Sequence, residues 1–95
     1  MKLVWGKAAV KDLERLAAYI GEESDQNAWL VEARIHETAR RLSLMPGVGR
    51  LGRVKRTREL FVLRTPYILV YRLKSRTVHI LRVIHCSRRW PWRVR

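Results

Sequence analysis

A histidine and several arginines in the second half of the sequence could together act on a phosphodiester. A metal-free ribonuclease needs a base for the 2′-hydroxyl, an acid for the leaving oxygen, and cations for the charge that develops on the phosphate. His85 is the candidate for proton transfer, with Tyr67 or Tyr71 and arginines such as Arg64 and Arg88 to complete the set. A purely structural histidine, packed at the end of a strand, is an equally good interpretation of His85.

A second group of residues could bind an anion or a target molecule. Charges inside strands are costly unless they are paired or face water, and Arg72 and Arg82 lie within predicted strands. For Arg82, a structural ion pair with Glu59 is slightly favoured over contact with a ligand. The other candidates for anion or target binding are Arg53, Lys55, Arg56, Arg89 and Trp92.

Tryptophans are concentrated near the end of the sequence, where Trp90 and Trp92 flank Pro91 among arginines. Aromatic rings interleaved with cations can stack on bases or anchor a protein partner. We expect Trp90 to fold back and close the core, which leaves Trp92 as the ring available to a target. We expect Trp5 and Trp29 to pack within the core or the helical hairpin.

Metal and thiol chemistry receive little support from the sequence. The three histidines are far apart, with no paired His or Cys at ligand spacing, so we expect neither a metal site nor a cofactor. The single cysteine, Cys86, allows no internal disulfide. In an extended chain Cys86 points away from His85, and we expect it to be a small buried apolar residue rather than a nucleophile.

The size and composition indicate one small domain spanning residues 1–95. A chain of 95 residues with 47% hydrophobic residues can bury a single modest core. No apolar run approaches the length of about 18 residues that a membrane span requires, and the start is too short for a secretory signal. We therefore expect a cytoplasmic protein that makes no contact with a membrane.

The charge of the chain is strongly positive and unevenly distributed. Lys and Arg total 21 against 8 Asp and Glu, which gives a formal net charge of +13. Residues 1–45 are neutral, whereas Glu59 is the only acid in residues 46–95. Such an excess favours a polyanionic partner, either nucleic acid or an acidic protein segment.

The hydrophobic periodicity predicts an α+β domain. A short edge strand at residues 2–5 precedes two helical patterns that the polar run 22–26 separates, and these form an antiparallel helical hairpin over about 7–45. Pro46-Gly47 ends the second helix, and the glycines that follow predict a flexible basic loop at 46–57. The pattern then predicts a β-meander over about 58–85, with strands at 58–64, 67–73 and 77–85, and a Trp- and Arg-rich tail at 86–95.

The last two predicted strands are apolar on both faces. Leu69 and Tyr71 point to one side of the sheet, and Ile68 and Val70 point to the other. A small antiparallel sheet that only a helical hairpin covers would alternate more cleanly. We expect either the Trp-rich tail or a partner protein to cover part of the second face.

Five motifs in this order resemble the RelE/ParE superfamily of bacterial toxins. The resemblance extends over almost the whole chain and implies a helical hairpin against a small antiparallel sheet. The motifs are W-x-x-x-A-x-x-D-L at 5–13, P-G-x-G-R-x-G-R-V at 46–54, T-R-E-L at 57–60, P-Y-x-L-V-Y-R at 66–72 and I-L-R-V-I-H-x-x-R-x-W-P at 80–91.

The resemblance implies the toxin of a type II toxin–antitoxin pair, held inactive by a cognate antitoxin whose segment wraps around it. An acidic segment would suit the charge of this chain, and operator DNA would be contacted only through the antitoxin. ParE-like members inhibit DNA gyrase, and the T-R-E-L and R-V-I-H motifs favour that grouping. RelE-like members cleave ribosome-bound mRNA by 2′-hydroxyl attack. For that alternative Arg64, His85 and Arg88 lie near the catalytic positions, but no residue aligns with the catalytic lysines.

Overall fold

Two helices pack on one face of a five-stranded mixed sheet in the computed structural model, which describes residues 1–88 and 90–91. The α+β class predicted from the sequence is confirmed. In chain order the elements are β1 (Lys2–Trp5), α1 (Lys7–Gly21), α2 (Asp25–Leu44), β2 (Arg50–Leu51), β3 (Arg58–Phe61), β4 (Tyr67–Lys74) and β5 (Thr77–His85), with a 3₁₀ turn at Pro46–Val48.

The helical hairpin forms where the periodicity predicts it. Leu13 and Leu16 of α1 face the sheet together with Ile35 of α2, because apolar residues at helical spacing share one side of a helix. Ser24 caps the second helix, since its Oγ accepts a hydrogen bond from the Asn27 N–H at 3.0 Å. Three residues therefore suffice to turn the chain between the two helices.

The strand order of the sheet is β1-β5-β4-β3-β2. The predicted meander of β3, β4 and β5 is present, although β3 ends at Phe61 rather than at residue 64. The N-terminal strand lies at an edge, as expected, but it pairs with β5 in parallel, and this pairing makes the sheet mixed. Ser75 and Arg76 form the two-residue turn between β4 and β5, and both have positive φ, as a type I′ turn requires.

The segment predicted as a flexible basic loop is instead built into the sheet. Residues 46–57 contain the 3₁₀ turn and β2, which pairs with β3. The buried Tyr71 holds the start of this segment, because its Oη accepts from the Gly49 N–H at 2.9 Å and donates to the Pro46 carbonyl at 2.7 Å. A side chain on Gly49 would collide with the Tyr71 ring, so the glycine here permits close approach.

Glu59 is the second anchor of this segment and is only 2% exposed. Its carboxylate accepts hydrogen bonds from the Arg53 N–H at 3.0 Å and from the guanidiniums of Arg53 and Arg50, each at 3.0 Å. Burial by itself would raise the pKa of the Glu59 carboxyl, but the hydrogen bonds from Arg53 and Arg50 outweigh burial and hold the pKa below its ordinary value. The predicted pairing of Glu59 with Arg82 is wrong, since nearer arginines occupy the carboxylate.

The apolar residues form one cluster on each face of the sheet. The larger cluster lies beneath the helices, and a smaller one of Ile68, Val70 and Ile84 lies on the opposite face. Trp90 packs against the smaller cluster, which confirms that this residue folds back onto the sheet, over its second face.

Two expectations about single residues are wrong. Trp29 is 67% exposed on α2, because it follows the buried Ala28 and so falls on the outer side of the helix. Cys86 is exposed, because β5 ends at His85 and the chain turns away from the core. Within the described ranges, neither helix combines the length and the apolar character that crossing a membrane would demand.

Replacing Glu59 with glutamine should lower the free energy of unfolding by about 1–2 kcal/mol at neutral pH. The effect is moderate because Arg50 and Arg53 remain 66% and 42% exposed and stay hydrated when the carboxylate is lost. Since the folded-state pKa of Glu59 is depressed, its contribution is present above the unfolded pKa of about 4.3 and is lost as the pH falls through the folded value.

Urea unfolding of the wild type and of Glu59→Gln between neutral and acidic pH measures this difference. Glu37→Gln is the matched control, because Glu37 pairs with Arg40 and Arg41 on the exposed side of α2, and its loss should change the free energy of unfolding much less. Equal costs for the two variants, or a Glu59→Gln cost that does not shrink in acid, would contradict the assigned role of Glu59.

Candidate functional site

A cleft of about 400 Å³ lies between α1 and the end of the β4–β5 hairpin that is remote from its turn. The hairpin brings Tyr67 at the start of β4 opposite His85 at the end of β5. The walls are contributed by α1 through Asp12, Arg15, Leu16 and Tyr19, and by the sheet and the residues after it through Tyr67, Arg82, Val83, Ile84, His85, Ser87 and Arg88.

A β-bulge in β5 decides which side chains face this cleft. Val70 pairs with Arg82 while Tyr71 pairs with Ile80, so Leu81 is an extra residue between two paired positions. Because side chains alternate along a strand, one inserted residue exchanges the two faces for everything that follows. Val83 therefore lies under the helices, and His85, the partner of Tyr67, turns toward the cleft.

Asp12 of α1 holds this bulge in place. Its Oδ2 accepts hydrogen bonds from the Val83 N–H at 2.9 Å and from Nε of Arg82 at 2.8 Å, and its Oδ1 accepts from Nη2 of Arg82 at 2.9 Å. The hydrogen bonds to Asp12 raise the pKa of the Arg82 guanidinium further, so this side chain stays charged. Asp12 is 8% exposed, and the pair forms a structural link between helix and sheet.

Arg82 also connects the cleft to the second face of the sheet. Its guanidinium carbon lies 5.5 Å from the centre of the Trp90 ring, within the range of a cation–π contact. Arg82 was a candidate for target binding and for a structural ion pair. The structure gives it an ion pair, with Asp12 as the partner.

His85 is held by its neighbours in a defined orientation. Its ring meets the Tyr67 ring edge-on, with centres 5.4 Å apart. Nδ1 of His85 accepts the Ser87 backbone N–H at 3.1 Å and lies 2.8 Å from the Ser87 Oγ. Because a backbone N–H can only donate, Nδ1 carries no proton in this arrangement, and the neutral ring carries its proton on Nε2.

Tyr67 contributes a neutral phenol to the cleft. Burial raises the pKa of Tyr67, and the neighbouring Tyr19 adds to the shift. Tyr67 can therefore donate a hydrogen bond, but it is poorly suited to accept a proton near neutral pH. Tyr19 itself is 73% exposed at the rim of the cleft.

The remaining predicted site residues lie in other places. Arg64 is exposed in the turn after β3, where its carbonyl accepts from Arg34 at 3.3 Å, and it does not line the cleft. Arg72 lies on the sheet face opposite the helices. Arg53 is bonded to Glu59, Lys55 and Arg56 are exposed on the segment before β3, and Arg89 and Trp92 lie outside the described residues.

Four polar residues of the cleft were missed from the sequence, namely Asp12, Arg15, Tyr19 and Ser87. Asp12 carried a usable signal, because it lies one residue before Leu13 on the apolar side of α1, where an acid needs a buried partner. Among residues 1–88 and 90–91, no three His, Cys, Asp or Glu side chains are grouped closely enough to hold a metal ion.

Comparison with known proteins places this geometry among bacterial toxins. The family described as the ParE toxin of the type II toxin–antitoxin system, parDE, matches residues 3–90. Y4kP of Sinorhizobium fredii, provisionally named a toxin, is 40% identical over 90 residues, which cover 95% of this chain and 93% of the relative. Toxin RelE2 of Caulobacter vibrioides is 34% identical over 87 residues, covering 92% and 97% respectively.

The same fold occurs in a solved structure. A chain of the chromosomal ParDE toxin–antitoxin system from P. aeruginosa superposes with a TM-score of 0.79 at 27% identity, and the match covers 90% of this chain and 95% of that one.

Removing the carboxylate of Asp12 should be strongly destabilising. Asp12→Asn should lower the free energy of unfolding by about 2–3 kcal/mol, because Arg82 is only 20% exposed and would lose its counter-charge. Asp12→Ala should cost about 1 kcal/mol more, since the Val83 N–H also loses its acceptor. Urea denaturation measures both, with Glu14→Gln on the exposed side of α1 as a control that should change little. A cost for Asp12→Asn no larger than that of the control would refute the proposed link.

Proposed function

The chain belongs to the ParE toxin family of type II toxin–antitoxin systems, and on that premise we propose that it arrests growth by binding DNA gyrase rather than by cutting RNA. Its role as the toxin of such a system, with a cognate antitoxin as its partner, follows from the family. DNA gyrase as the target goes beyond what membership of the family shows.

The state of His85 is the observation that supports a non-hydrolytic toxin. A general base must have a free lone pair directed at the proton that it removes. The Nδ1 lone pair of His85 faces Ser87, and Nε2 carries the proton of the neutral ring. The Asp12 carboxylate is engaged by Arg82 and the Val83 N–H, and burial raises the pKa of Tyr67. Within the described residues the cleft therefore offers hydrogen-bond donors and cations but no base that is ready to act. Such a site is better suited to binding than to proton abstraction.

The basic segment before β3 supports the same conclusion. Arg50 and Arg53 are engaged by Glu59, so their guanidiniums are committed to the fold. The remaining cations of the segment, Lys55 and Arg56, are exposed there, and neither lines the cleft with His85. Cations that would stabilise a charged phosphate in a ribonuclease must lie close to its base, and these do not.

A RelE-like ribonuclease is the second candidate, and the composition of the cleft is what favours it. His85, Tyr67 and Arg88 line one cavity that is large enough for a nucleotide, and Toxin RelE2 is a relative. Cleavage would require the Ser87 bond to break, so that Nδ1 could take a proton, and would require Arg64 to move from the turn into the cleft.

We also propose that the cleft receives an acidic segment of the antitoxin. Leu16, Tyr19 and Tyr67 provide apolar walls, and Arg15 and Arg88 provide cations at the same opening. An acidic side chain next to an apolar one matches this arrangement, and aromatic and arginine side chains are the usual anchors of protein interfaces. Operator DNA would then be bound through the antitoxin.

The gyrase proposal predicts that the purified toxin, in molar excess over gyrase, abolishes ATP-dependent supercoiling of relaxed plasmid. Toxin mixed beforehand with its antitoxin is the control and should leave supercoiling intact. Gel electrophoresis of the plasmid measures the outcome, and full supercoiling at excess toxin would rule out the gyrase target.

Ribosome-bound mRNA incubated with the toxin should remain uncut. Cleavage that disappears in His85→Ala and Arg64→Ala would establish the ribonuclease instead.

The antitoxin proposal predicts that Arg15→Glu weakens antitoxin binding about tenfold, or ~1.4 kcal/mol, because an acidic segment would then meet a negative charge. Lys11→Glu, one helical turn earlier on α1, makes the same change in net charge outside the cleft and should have a much smaller effect. Titration calorimetry on the two variants measures the difference. Equal weakening would show that only net charge matters and would refute docking in the cleft.

A further inference from the structure

The end of the sheet that is remote from the cleft carries a group of cations, which we call the basic corner: Lys2, Arg72, Lys74 and Arg76. Lys2 and Lys74 are both paired with Thr77, from the two sides of β5, and Arg72 lies two residue pairs further along, opposite His79. Cross-strand partners point to the same face, so Lys2, Arg72 and Lys74 share the face opposite the helices, with Arg76 at the tip of the adjoining turn.

The cations of the basic corner have no partners within the described residues. All four are exposed, and none makes an ion pair or a side-chain hydrogen bond within residues 1–88 and 90–91. Five arginines elsewhere in the described part of the chain are held by carboxylates: Arg40 and Arg41 by Glu37, Arg50 and Arg53 by Glu59, and Arg82 by Asp12. Unpaired cations concentrated at one end of a sheet produce a local positive potential that can attract a polyanion.

The backbone at Arg76 offers a way to separate the charge of this residue from its effect on folding. Arg76 has φ 55° and Ser75 has φ 53°, in the left-handed region that favours glycine, asparagine and aspartate. An arginine at the second position of a type I′ turn destabilises the fold relative to glycine.

The chemistry of the corner fits the backbone of a double helix better than it fits a protein segment or a single strand. Protein interfaces are centred on buried apolar or aromatic anchors, and charged residues are depleted at their centre. Single strands are bound by rings that stack on exposed bases. The corner is made of exposed Lys and Arg beside the half-buried His79, with no Phe, Tyr or Trp among them, which matches the positive, polar surfaces that contact duplex phosphates.

We propose that the basic corner binds the phosphate backbone of duplex DNA without reading its sequence, so that the toxin contacts DNA directly and through a surface separate from the cleft. The corner and the cleft lie at opposite ends of the β4–β5 hairpin, about 20 Å apart for a strand of this length. The toxin can therefore contact DNA while the cleft is occupied by a protein segment. The contact concerns toxin and DNA alone and is separable from the action on gyrase.

Binding of a short, labelled duplex of mixed sequence to the purified toxin, followed by fluorescence anisotropy from about 50 to about 200 mM salt, tests this assignment. The double variant Arg72→Gln/Lys74→Gln should bind about tenfold more weakly. Its log–log salt slope should fall by about two, since each phosphate contact contributes about 0.9 to the slope. The double variant Lys7→Gln/Lys11→Gln on α1 removes the same charge from an exposed surface and should retain the slope.

Each of the following results would overturn the proposal. The wild type failing to bind duplex, or equal losses in the two double variants, would show that no localised site exists. Tighter binding to a single-stranded RNA of the same length would assign the corner to a different nucleic acid. Loss of antitoxin binding with retained duplex binding in the corner variant would assign it to the protein partner. The assay contains no gyrase, so its outcome is independent of the supercoiling test.

Arg76→Gly separates binding from folding. The glycine should raise the melting temperature by relieving the turn, and it should still weaken duplex binding several-fold by removing one cation. Ser75→Gly relieves the same turn without changing the charge, so it should raise the melting temperature and leave duplex binding unchanged. An Arg76→Gly protein that binds duplex as tightly as the wild type would exclude Arg76 from the site.

Discussion

The carboxylate of Asp12 is the contact on which most of the architecture depends. It joins α1 to β5 at the β-bulge by accepting the Val83 N–H, and it neutralises Arg82 in the same place. The bulge turns Val83 and His85 toward the helices and Ile84 toward the second face, so both apolar clusters and the cleft depend on it. Arg82 then extends the link to Trp90, which covers the smaller cluster. One acid on a helix thus coordinates the hairpin, the last strand and the residues after it.

A chain with so few acids places two of them where they organise arginines. Asp12 engages Arg82, and Glu59 engages Arg50 and Arg53, so the buried carboxylates neutralise cations that would otherwise repel one another inside the fold. Part of the remaining positive charge lies on the surface at the cleft and at the basic corner. The positive charge of the second half of the sequence therefore contributes to two separate surfaces of the folded protein, the cleft and the basic corner. The two surfaces differ in chemistry, and we propose a different partner for each.

Local patterns were sufficient to predict the helical hairpin, the meander and the return of Trp90 to the sheet. The apolar repeat through Leu13 and Leu16 and the stop at Pro46 are signals that act within a few residues. The bulge at Leu81, the pairing of β2 and the partners of Asp12 and Glu59 were not predictable, because they depend on residues that meet only after folding. Gly49 is an example. The sequence pattern predicts that it belongs to a flexible loop, whereas its lack of a side chain allows the Tyr71 ring to pack against the backbone. Strict alternation along β5 would likewise have directed His85 to the wrong face.

The parallel pairing of β1 with β5 has a consequence for the synthesis of this protein. The first strand of the sheet can find its neighbour only after the last strand has left the ribosome, because more than 70 residues separate the paired positions, such as Leu3 and Val78. Contacts so distant along the chain form late and slowly. Until β5 has been made, the edge of β1 therefore stays unpaired, and the cleft that β5 helps to line cannot form.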